Sequence, residues 1–363
     1  MFQLPVYQAP DFNEARFVAA PTVHTEPAPG DGILPDQFYA TNIYPEYFKL
    51  AGQWQLIQAA RMDCAVVIHN GQPTATEARR VKQGDNIVVG REEDLSNGVF
   101  IDYLAFKDAR GQGSAQSFAF RTGKSRETSY SRDYDELYEI LRHDREHGSI
   151  VWVLGPAVAF DYDSRKAMAG LIANGYVHAI LAGNALATHD MEAGLFHTGL
   201  GQDIYTKELQ YNGHYNHLQT INCVRRSGSI ENFIQENPLQ DGIVAACVRH
   251  QVPMVLAGSI RDDGPLPGVI GNVYDAQNAM RKHTMQATTI IALATQLHTI
   301  ATGNMSPSWQ IRDGKLRPVY FYTVDISEFA VGKLHDRGSL STISIVTNVQ
   351  DFLINTARSL AVL

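Results

Sequence analysis

Cysteine is scarce in this chain, with three residues among 363. Cys64, Cys223 and Cys247 lie far apart and have neither the paired spacing of a zinc site nor that of a redox motif. We therefore predict three reduced thiols that are buried as small apolar side chains. This pattern argues against a cysteine-based metal centre and against thiol redox chemistry.

Basic charge and long apolar runs are also lacking. The 30 Lys and Arg residues are outnumbered by 38 Asp and Glu, which gives a net charge of −8 and no basic stripe suited to nucleic acid. The longest apolar runs, such as ATTIIALATQ, are too short to cross a bilayer. The opening segment MFQLPVYQAPDFNEARF lacks the charged and then apolar order of a secretion signal. We predict a cytoplasmic protein without a nucleic-acid or membrane partner.

Common catalytic and nucleotide-binding motifs are absent as well. The chain has no G-x-G-x-x-G, no P-loop, no G-x-S-x-G and no H-E-x-x-H. His214 and His217 in YNGHYNHLQT are three residues apart, a spacing that binds metal only where further ligands converge, so we predict no metal. The lack of a protein nucleophile is typical of enzymes in which a bound cofactor carries the chemistry.

The first 145 residues have the pattern of a β-rich domain. MDCAVVIHN, NIVVGRE, FIDYLAFKD and AQSFAFRTG are short apolar runs, and Gly84–Asp85 is a turn signal before a strand. Prolines in the opening thirty residues indicate an extended arm. Leu137, Ile140 and Leu141 fit one helical face, so we predict a linking helix within residues 125–149.

From residue 146 to residue 363 the pattern alternates between apolar runs and helix-like segments. The runs are SIVWVLGPAV, YVHAILAGNA, VPMVLAGSIRDDGPLP, TTIIALATQLHTIATGNM, PVYFYTVDISE and LSTISIVTNVQDF. This alternation predicts an α/β domain with a Rossmann-like parallel sheet covered by helices on both faces. Such sheets bind ligands at the carboxyl ends of their strands, where we expect GNA, GSIRDD, ATGN, VDIS and TNV to lie.

Acidic side chains follow several of these predicted strands. In GNALATHDMEAG, His189 and Asp190 come at the expected start of a helix, where Asp190 either caps the helix or takes part in chemistry. Asp262 and Asp263 have the same two alternatives at the next turn. Asp325 ends a late strand, where a carboxylate accepts hydrogen bonds from ribose hydroxyls or caps a helix.

Several short motifs together resemble the LOR/SDH-type conserved domain family. They are AGNALATHDME, GHYNHLQTINCVRRSGSI, LAGSIRDDGPLPGVI, ATGNMSPS, VDISEFAVGKLHDRGS and IVTNV. LPDQFYATNIYPEYFKLAGQWQ and RMDCAVVI resemble the β-rich module that precedes this domain, so the resemblance covers roughly residues 31–350. The family includes archaeal ornithine cyclodeaminase and the C-terminal part of the cyanobacterial arginine-guanidine-removing enzymes. Archaeal members carry a further small domain ahead of the LPDQFY-like segment, where this chain has the proline-rich arm.

The resemblance implies a deoxyhypusine-synthase-like domain that binds NAD and forms a homo-oligomer, a dimer or a tetramer. It also implies a basic amino-acid substrate and the conversion of L-ornithine to L-proline and ammonia by internal hydride transfer. Residues at the matched turns are therefore expected to bind the cofactor: Gly155, Pro156, Gly183, Asn184, Ala185, Leu186, Ser259, Asp262, Asp263, Gly303, Asn304, Met305, Asp325, Ile326, Thr347, Asn348 and Val349.

Catalytic roles follow from the chemistry of this reaction and the matched motifs. Asp190 and His217 are the candidate bases for the substrate α-ammonium, because only a neutral amine can release hydride from its carbon. Arg225 is the candidate for the substrate carboxylate and Asn216 for an orienting partner. Arg225 and Arg226 fit a surface ion pair equally well. Another NAD-dependent amino-acid dehydrogenase, another diamino-acid cyclase, and a non-catalytic NAD-binding sensor remain open.

Overall fold

The computed structural model describes residues 4–106, 131–239, 241–262, 264–327 and 341–363. The predicted strand AQSFAFRTG and the candidate Asp263 lie outside these ranges. The predicted strand FIDYLAFKD is shorter than expected, because regular pairing stops at Ile101 and a turn follows.

Two small antiparallel sheets make up the β-rich part of the chain. Its described elements are α1 (Ala15–Ala19), β1 (His24–Pro27), β2 (Glu46–Leu50), β3 (Gln53–Leu56), β4 (Ala65–His69), β5 (Gln72–Thr76), β6 (Asn86–Val89) and β7 (Val99–Ile101). One sheet has the order β1-β6-β4-β5 and the other β3-β2-β7. A short 3₁₀ helix, Ala78–Arg80, follows β5.

Six parallel strands form the central sheet of the second part. The strands are β8 (Ile150–Leu154), β9 (Ala179–Gly183), β12 (Met254–Ala257), β13 (Thr289–Leu293), β16 (Tyr320–Asp325) and β17 (Ser341–Val346). Their order across the sheet is β12-β9-β8-β13-β16-β17, which is the 3-2-1-4-5-6 order of a doubly wound dinucleotide-binding fold. The predicted Rossmann-like sheet, preceded by a smaller β-rich region, is therefore confirmed.

Helices cover both faces of this sheet. They are α2 (Ser131–His147), α3 (Tyr162–Ala173), α4 (Asn184–Phe196), α5 (His214–Ser227), α6 (Ile230–Glu236), α7 (Ile243–His250), α8 (Val273–Thr284), α9 (Gln296–Met305) and α10 (Val349–Ser359). Side chains of β8 alternate between two buried clusters: Trp152 packs with residues of α2, α3 and α10, whereas Val151 and Val153 pack with residues of α8 and α9. The near-continuous apolar runs of the sequence arise from this burial on both faces.

Two short hairpins interrupt the α/β alternation. One consists of β10 (Thr198–Gly199) and β11 (Gln202–Asp203), and the other of β14 (Trp309–Arg312) and β15 (Lys315–Pro318). Trp309 and Leu316 of the second hairpin are buried in the core of the β-rich part. The second half of the chain therefore contributes to the first hydrophobic core, which the predicted division at residue 146 does not anticipate.

Two predicted turn positions are wrong. Helix α4 begins at Asn184 directly after β9, so His189 and Asp190 lie in its second turn and not at its start. The ATGN segment does not follow a strand, because β13 ends at Leu293 and α9 then continues to Met305. Gly303 and Asn304 therefore lie at the far end of α9, away from the carboxyl ends of the strands.

Candidate functional site

The order of the strands reverses between β8 and β13, and the backbone at this point is tightly packed. Gly155 follows β8 and its N–H donates to the carbonyl of Leu293 at the end of β13. A Cβ atom on Gly155 would overlap the carbonyl oxygen of Ala294, so only glycine fits here. Open α/β sheets bind ligands in the crevice that forms at such a reversal.

Helix α4 brings His189 and Glu192 to this side of the molecule. The two residues are three positions apart and share a helix face, and Nδ1 of His189 lies 3.2 Å from Oε2 of Glu192. Phe160 packs against the His189 ring at a centroid distance of 4.9 Å. Both α4 residues are buried, with Glu192 fully so.

The Glu192 carboxylate is held by several protein donors. The Thr198 hydroxyl and the Gly201 N–H donate to Oε1 at 2.9 and 3.1 Å, and the Leu200 N–H donates to Oε2 at 3.3 Å. Burial raises the pKa of Glu192, but the hydrogen bond from His189, the nearby His217 imidazole, and hydrogen bonds from Gly201 and Thr198 outweigh it and lower the pKa to about 2. Glu192 is therefore a fixed negative charge at neutral pH.

Helix α5 supplies a second imidazole to the same carboxylate. Nδ1 of His217 lies 3.8 Å from Oε2 of Glu192, and the rings of His217 and His189 are 4.9 Å apart. The amide of Asn216 donates to the Thr198 hydroxyl at 3.0 Å, and that hydroxyl donates to Glu192. The candidates Asn216 and His217 are thus brought together around Glu192.

A cavity of about 410 Å³ opens next to this group. His189 and His217 line it, and its other lining residues are Asn184, Ala185, Leu200, Leu218, Ile221, Arg261, Asp262 and Gly264. The Asn184 side chain accepts a hydrogen bond from the Leu266 N–H and so fixes one end of the loop that carries Arg261 and Asp262. The cavity therefore joins the imidazoles to one cation and one carboxylate.

The structure places the Asp190 carboxylate in the core. Its two oxygens accept hydrogen bonds from the N–H groups of Ile243 and Val244, at the start of α7, and from Nε of Arg165 at 2.8 Å. Asp190 and Arg165 are each about 1% exposed, and Asp241 also pairs with Arg165. These contacts favour a structural role for Asp190, as the cap of a helix distant in sequence.

Arg225 lies at the end of α5 and is exposed. Its guanidinium donates to the carbonyl of Pro265 at 3.1 Å. It therefore holds the loop after β12 and does not line the cavity, whereas Arg261 in that loop does. Between these two arginines, Arg261 is the better placed to meet a substrate carboxylate.

The remaining candidate cofactor residues are spread along the ligand edge. Gly183 precedes α4 and leaves its first N–H groups without a side-chain cap, and the start of α9 is also uncapped, so N–H groups at both starts are available to a diphosphate. Asp325 ends β16 and accepts from the Ser327 N–H. Asn348 caps α10, so its Oδ1 is already engaged by the Gln350 N–H.

The loop after β12 contains the predicted turn but not the predicted helix. Asp262 accepts from the Ser259 N–H at 2.8 Å and closes a turn. The helix that it was expected to cap does not form, and α8 begins at Val273 with Asn272 as its cap. Pro156 opens a 3₁₀ turn after β8, and Ile326 is exposed beyond the end of β16.

His189, Glu192 and His217 are the three described residues whose side chains have the types and spacing that suit a metal. Glu192 already has four protein donors, which an ion would have to displace from the carboxylate. His214, the other member of the expected pair, is exposed and packs against Tyr215. A metal-free site remains our prediction.

No helix in the described ranges combines the length and apolar character needed to cross a membrane. The described thiols of Cys64 and Cys247 are buried and that of Cys223 is partly buried, all without a disulfide. Burial raises the pKa of Cys247 above its usual range, which keeps this thiol protonated.

The fold and the edge site define a Rossmann-like protein with an ionisable cluster at its ligand crevice. A family model for the C-terminal Rossmann fold of arginine dihydrolase ArgZ-like proteins matches residues 135–356, and a model for the first region of the same C-terminal part matches residues 45–128. The chain therefore belongs to the ArgZ-like C-terminal family, which confirms the resemblance noted in the sequence.

Known proteins of similar sequence and structure agree with this family. An ornithine cyclodeaminase from Methanopyrus kandleri is 40% identical over 94% of this chain and 80% of its own length. The structure of a conserved LOR/SDH protein from Methanococcus maripaludis matches with a TM-score of 0.84 and 34% identity, over 94% of this chain and 98% of that one. A complex of AgrE with ornithine and NAD⁺ matches with a TM-score of 0.58 and 32% identity, over 94% of this chain and 46% of that one.

Sequence reasoning missed Glu192, Thr198 and Arg261. The pair H-x-x-E, with His189 and Glu192 on one helix face, is the signal that was available for Glu192.

Proposed function

We propose that this protein is an NAD-dependent ornithine cyclodeaminase-like enzyme that converts L-ornithine to L-proline and ammonia. The observation that carries the proposal is a pair of neighbouring imidazoles beside a cavity at the ligand edge: His189 is hydrogen-bonded to the buried Glu192 carboxylate, and His217 lies 3.8 Å from it. The ornithine cyclodeaminase from Methanopyrus kandleri supports the substrate, and the AgrE complex with ornithine and NAD⁺ supports both the substrate and the cofactor.

The residues at the ligand edge fit NAD. Gly155 lies at the reversal of strand order, where a side chain would overlap the neighbouring backbone, and uncapped helix starts lie at the same edge. Bound NAD would supply the acceptor and later the donor of one hydride, so the reaction needs no net oxidant.

His217 is the base that we assign to the substrate α-ammonium. Its Nδ1 lies 3.8 Å from Oε2 of Glu192, on the carboxylate side of the ring, so Nε2 is the nitrogen that we expect to take the proton. His217 is more exposed to the cavity than His189, at 33% against 8% of the side chain. His189 packs between Phe160 and His217 and positions the second ring.

The charges of the cavity suit a basic amino acid. Arg261 can receive the α-carboxylate through its planar fork, and Asp262 can receive the distal ammonium. Once the α-carbon has lost its hydride to give an imine, the distal ammonium would have to lose a proton before its nitrogen attacks that carbon. Ammonia would then leave, and return of the hydride to the cyclic imine would give proline. A water-poor cavity prevents hydrolysis between the two hydride steps.

An assay of the purified protein with NAD and L-ornithine tests the proposal. We expect ammonia and proline in equal amounts without accumulation of NADH. His217→Gln should lower turnover about a hundredfold or more, because a positioned base is lost, whereas His214→Gln, an exposed histidine on the same helix, should retain it.

Other outcomes identify the alternatives. NADH that accumulates in proportion to ammonia indicates an amino-acid dehydrogenase, and turnover of a different diamino acid indicates another cyclase. NAD binding without turnover of any basic amino acid indicates a sensor. A homo-oligomer and a cytoplasmic location belong to the same proposal, and the first is tested by light scattering on the NAD-loaded protein.

A further inference from the structure

Four arginines surround one glutamate where the β-rich part meets α8. Nη1 of Arg61 and Nε of Arg79 each lie 2.9 Å from a Glu77 oxygen, and Nε of Arg80 lies 3.4 Å from one. Arg281 of α8 also contacts Glu77. We call Arg61, Arg79, Arg80 and Arg281 the arginine cluster.

The arginine cluster is not neutralised by its own carboxylate. Four guanidinium groups face one negative charge, so three positive charges remain without a counterion within the group. Burial lowers the pKa of Arg281 and Glu77 raises it, but the positive charges of the other three arginines lower it further, to about 10. The protein thus concentrates like charges at a cost that a bound anion would offset.

Part of the hydrogen-bonding capacity of the cluster is also unused. Nη1 of Arg61 and Nη2 of Arg281 contact Glu77, but Nε of Arg281 has no hydrogen-bond partner in the described part of the chain. Both side chains are close to nine-tenths buried, at 12% and 11% exposure. Buried donors of this kind normally have acceptors.

The other two arginines are accessible and held in place by α8. Arg79 and Arg80 are 34% and 44% exposed, and both donate to the amide oxygen of Asn278. Arg79 also donates to Gln277 and lies 5.0 Å above the Tyr274 ring. Neutral amides and an aromatic ring orient these guanidinium groups without cancelling their charge.

We propose that the arginine cluster binds a phosphate or phosphoryl group. A multiply charged tetrahedral anion matches the excess of positive charge, and its several oxygens can each accept from the paired N–H groups of an arginine. Three of the arginines belong to the β-rich part and the fourth to α8, so the anion would strengthen the contact between the two parts of the chain.

Thermal unfolding of the NAD-saturated protein tests the proposal, because saturation with NAD keeps phosphate away from the cofactor edge. Inorganic phosphate is compared with potassium chloride at equal ionic strength, and adenosine diphosphate is a separate arm. We expect phosphate at ten times its dissociation constant to raise the melting temperature by roughly 2 °C or more. A response at lower concentrations of adenosine diphosphate identifies a nucleotide as the source of the phosphoryl group, and an equal or weaker response identifies the free ion.

The double variant Arg79→Gln/Arg80→Gln should lose this phosphate response. The control Arg16→Gln/Arg91→Gln removes the same charge from exposed positions elsewhere in the β-rich part and should retain the response. Arg80→Gln alone changes the most exposed member of the cluster and should weaken phosphate binding severalfold. This single variant tests the proposal if the double variant does not fold. The absence of a response in the unchanged protein, or equal responses in the unchanged and cluster variants, would overturn the proposal.

Discussion

Replacement of Asp190 by asparagine separates a structural role from a catalytic one. The carboxylate accepts from two backbone N–H groups at the start of α7 and from Arg165, all in the core. Asparagine keeps the size of the side chain but has one acceptor oxygen, and its amide would turn an N–H donor towards another donor. We therefore expect Asp190→Asn to destabilise the fold while it leaves the cavity chemistry in place.

The size of the expected stability loss follows from the burial of both Asp190 and Arg165. Loss of one member of a buried ion pair costs 3–5 kcal/mol as a rule, because the other charge stays buried. Here Asp241 remains 3.1 Å from Arg165 and offsets part of that loss, so we expect about 3 kcal/mol. For a chain of 363 residues, an unfolding entropy of about 2.1 cal/mol/K per residue corresponds to roughly 1.3 °C per kcal/mol, so the melting temperature should fall by about 4 °C.

Turnover and melting temperature must be measured on the same Asp190→Asn protein at a temperature where it is folded. We expect turnover within roughly threefold of the unchanged enzyme, against the hundredfold loss that removal of a positioned base causes. Asp36→Asn, at an exposed carboxylate, is the matched control and should change neither quantity. An unchanged melting temperature with lost turnover would refute the structural assignment and restore Asp190 as the base.

The remaining predictions concern Glu192 and Gly155. Glu192→Gln should lower turnover tenfold or more, because His189 loses its charged hydrogen-bond partner and His217 loses a nearby negative charge; unchanged turnover contradicts the positioning role. Folding lowers the pKa of Glu192 from 4.5 to about 2, so ionised Glu192 contributes on the order of 3 kcal/mol to the free energy of unfolding above pH 4.5. This contribution is lost as the pH falls towards 2, and the stability of Glu192→Gln should lack this part of the pH dependence. Gly155→Ala should prevent stable folding or abolish NAD binding through overlap with backbone, whereas Gly271→Ala, where a Cβ meets open space, should be tolerated; thermal unfolding with and without NAD checks both.

The sheet was predictable from sequence because its signal is local. Each buried strand appears as a short apolar run, and the alternation with helices fixes a parallel arrangement. The ATGN segment was misplaced because α9 consists largely of small and apolar residues and does not stand out from the run before it. The environment of Asp190 depends on Arg165 and on Val244, which are 25 and 54 residues away in sequence. A pattern within a short stretch of sequence cannot predict contacts with residues that far away.

Adjacent positions in α4 explain how one short stretch supports both stability and chemistry. His189 lines the cavity and Glu192, three residues further on, is buried behind it, whereas Asp190 is rotated by about 100° and faces α3 and α7. The ion pair with Arg165 and the N–H groups of α7 fix the rotation of α4 about its axis. Thr198, Leu200 and Gly201 hold the Glu192 carboxylate without any contribution from Asp190, so we expect the loss of one Asp190 contact to lower stability and leave the carboxylate in place. His189 and Asp190 are thus adjacent in sequence but lie on different faces of the same turn, with Asp190 anchored in the core and His189 at the cavity.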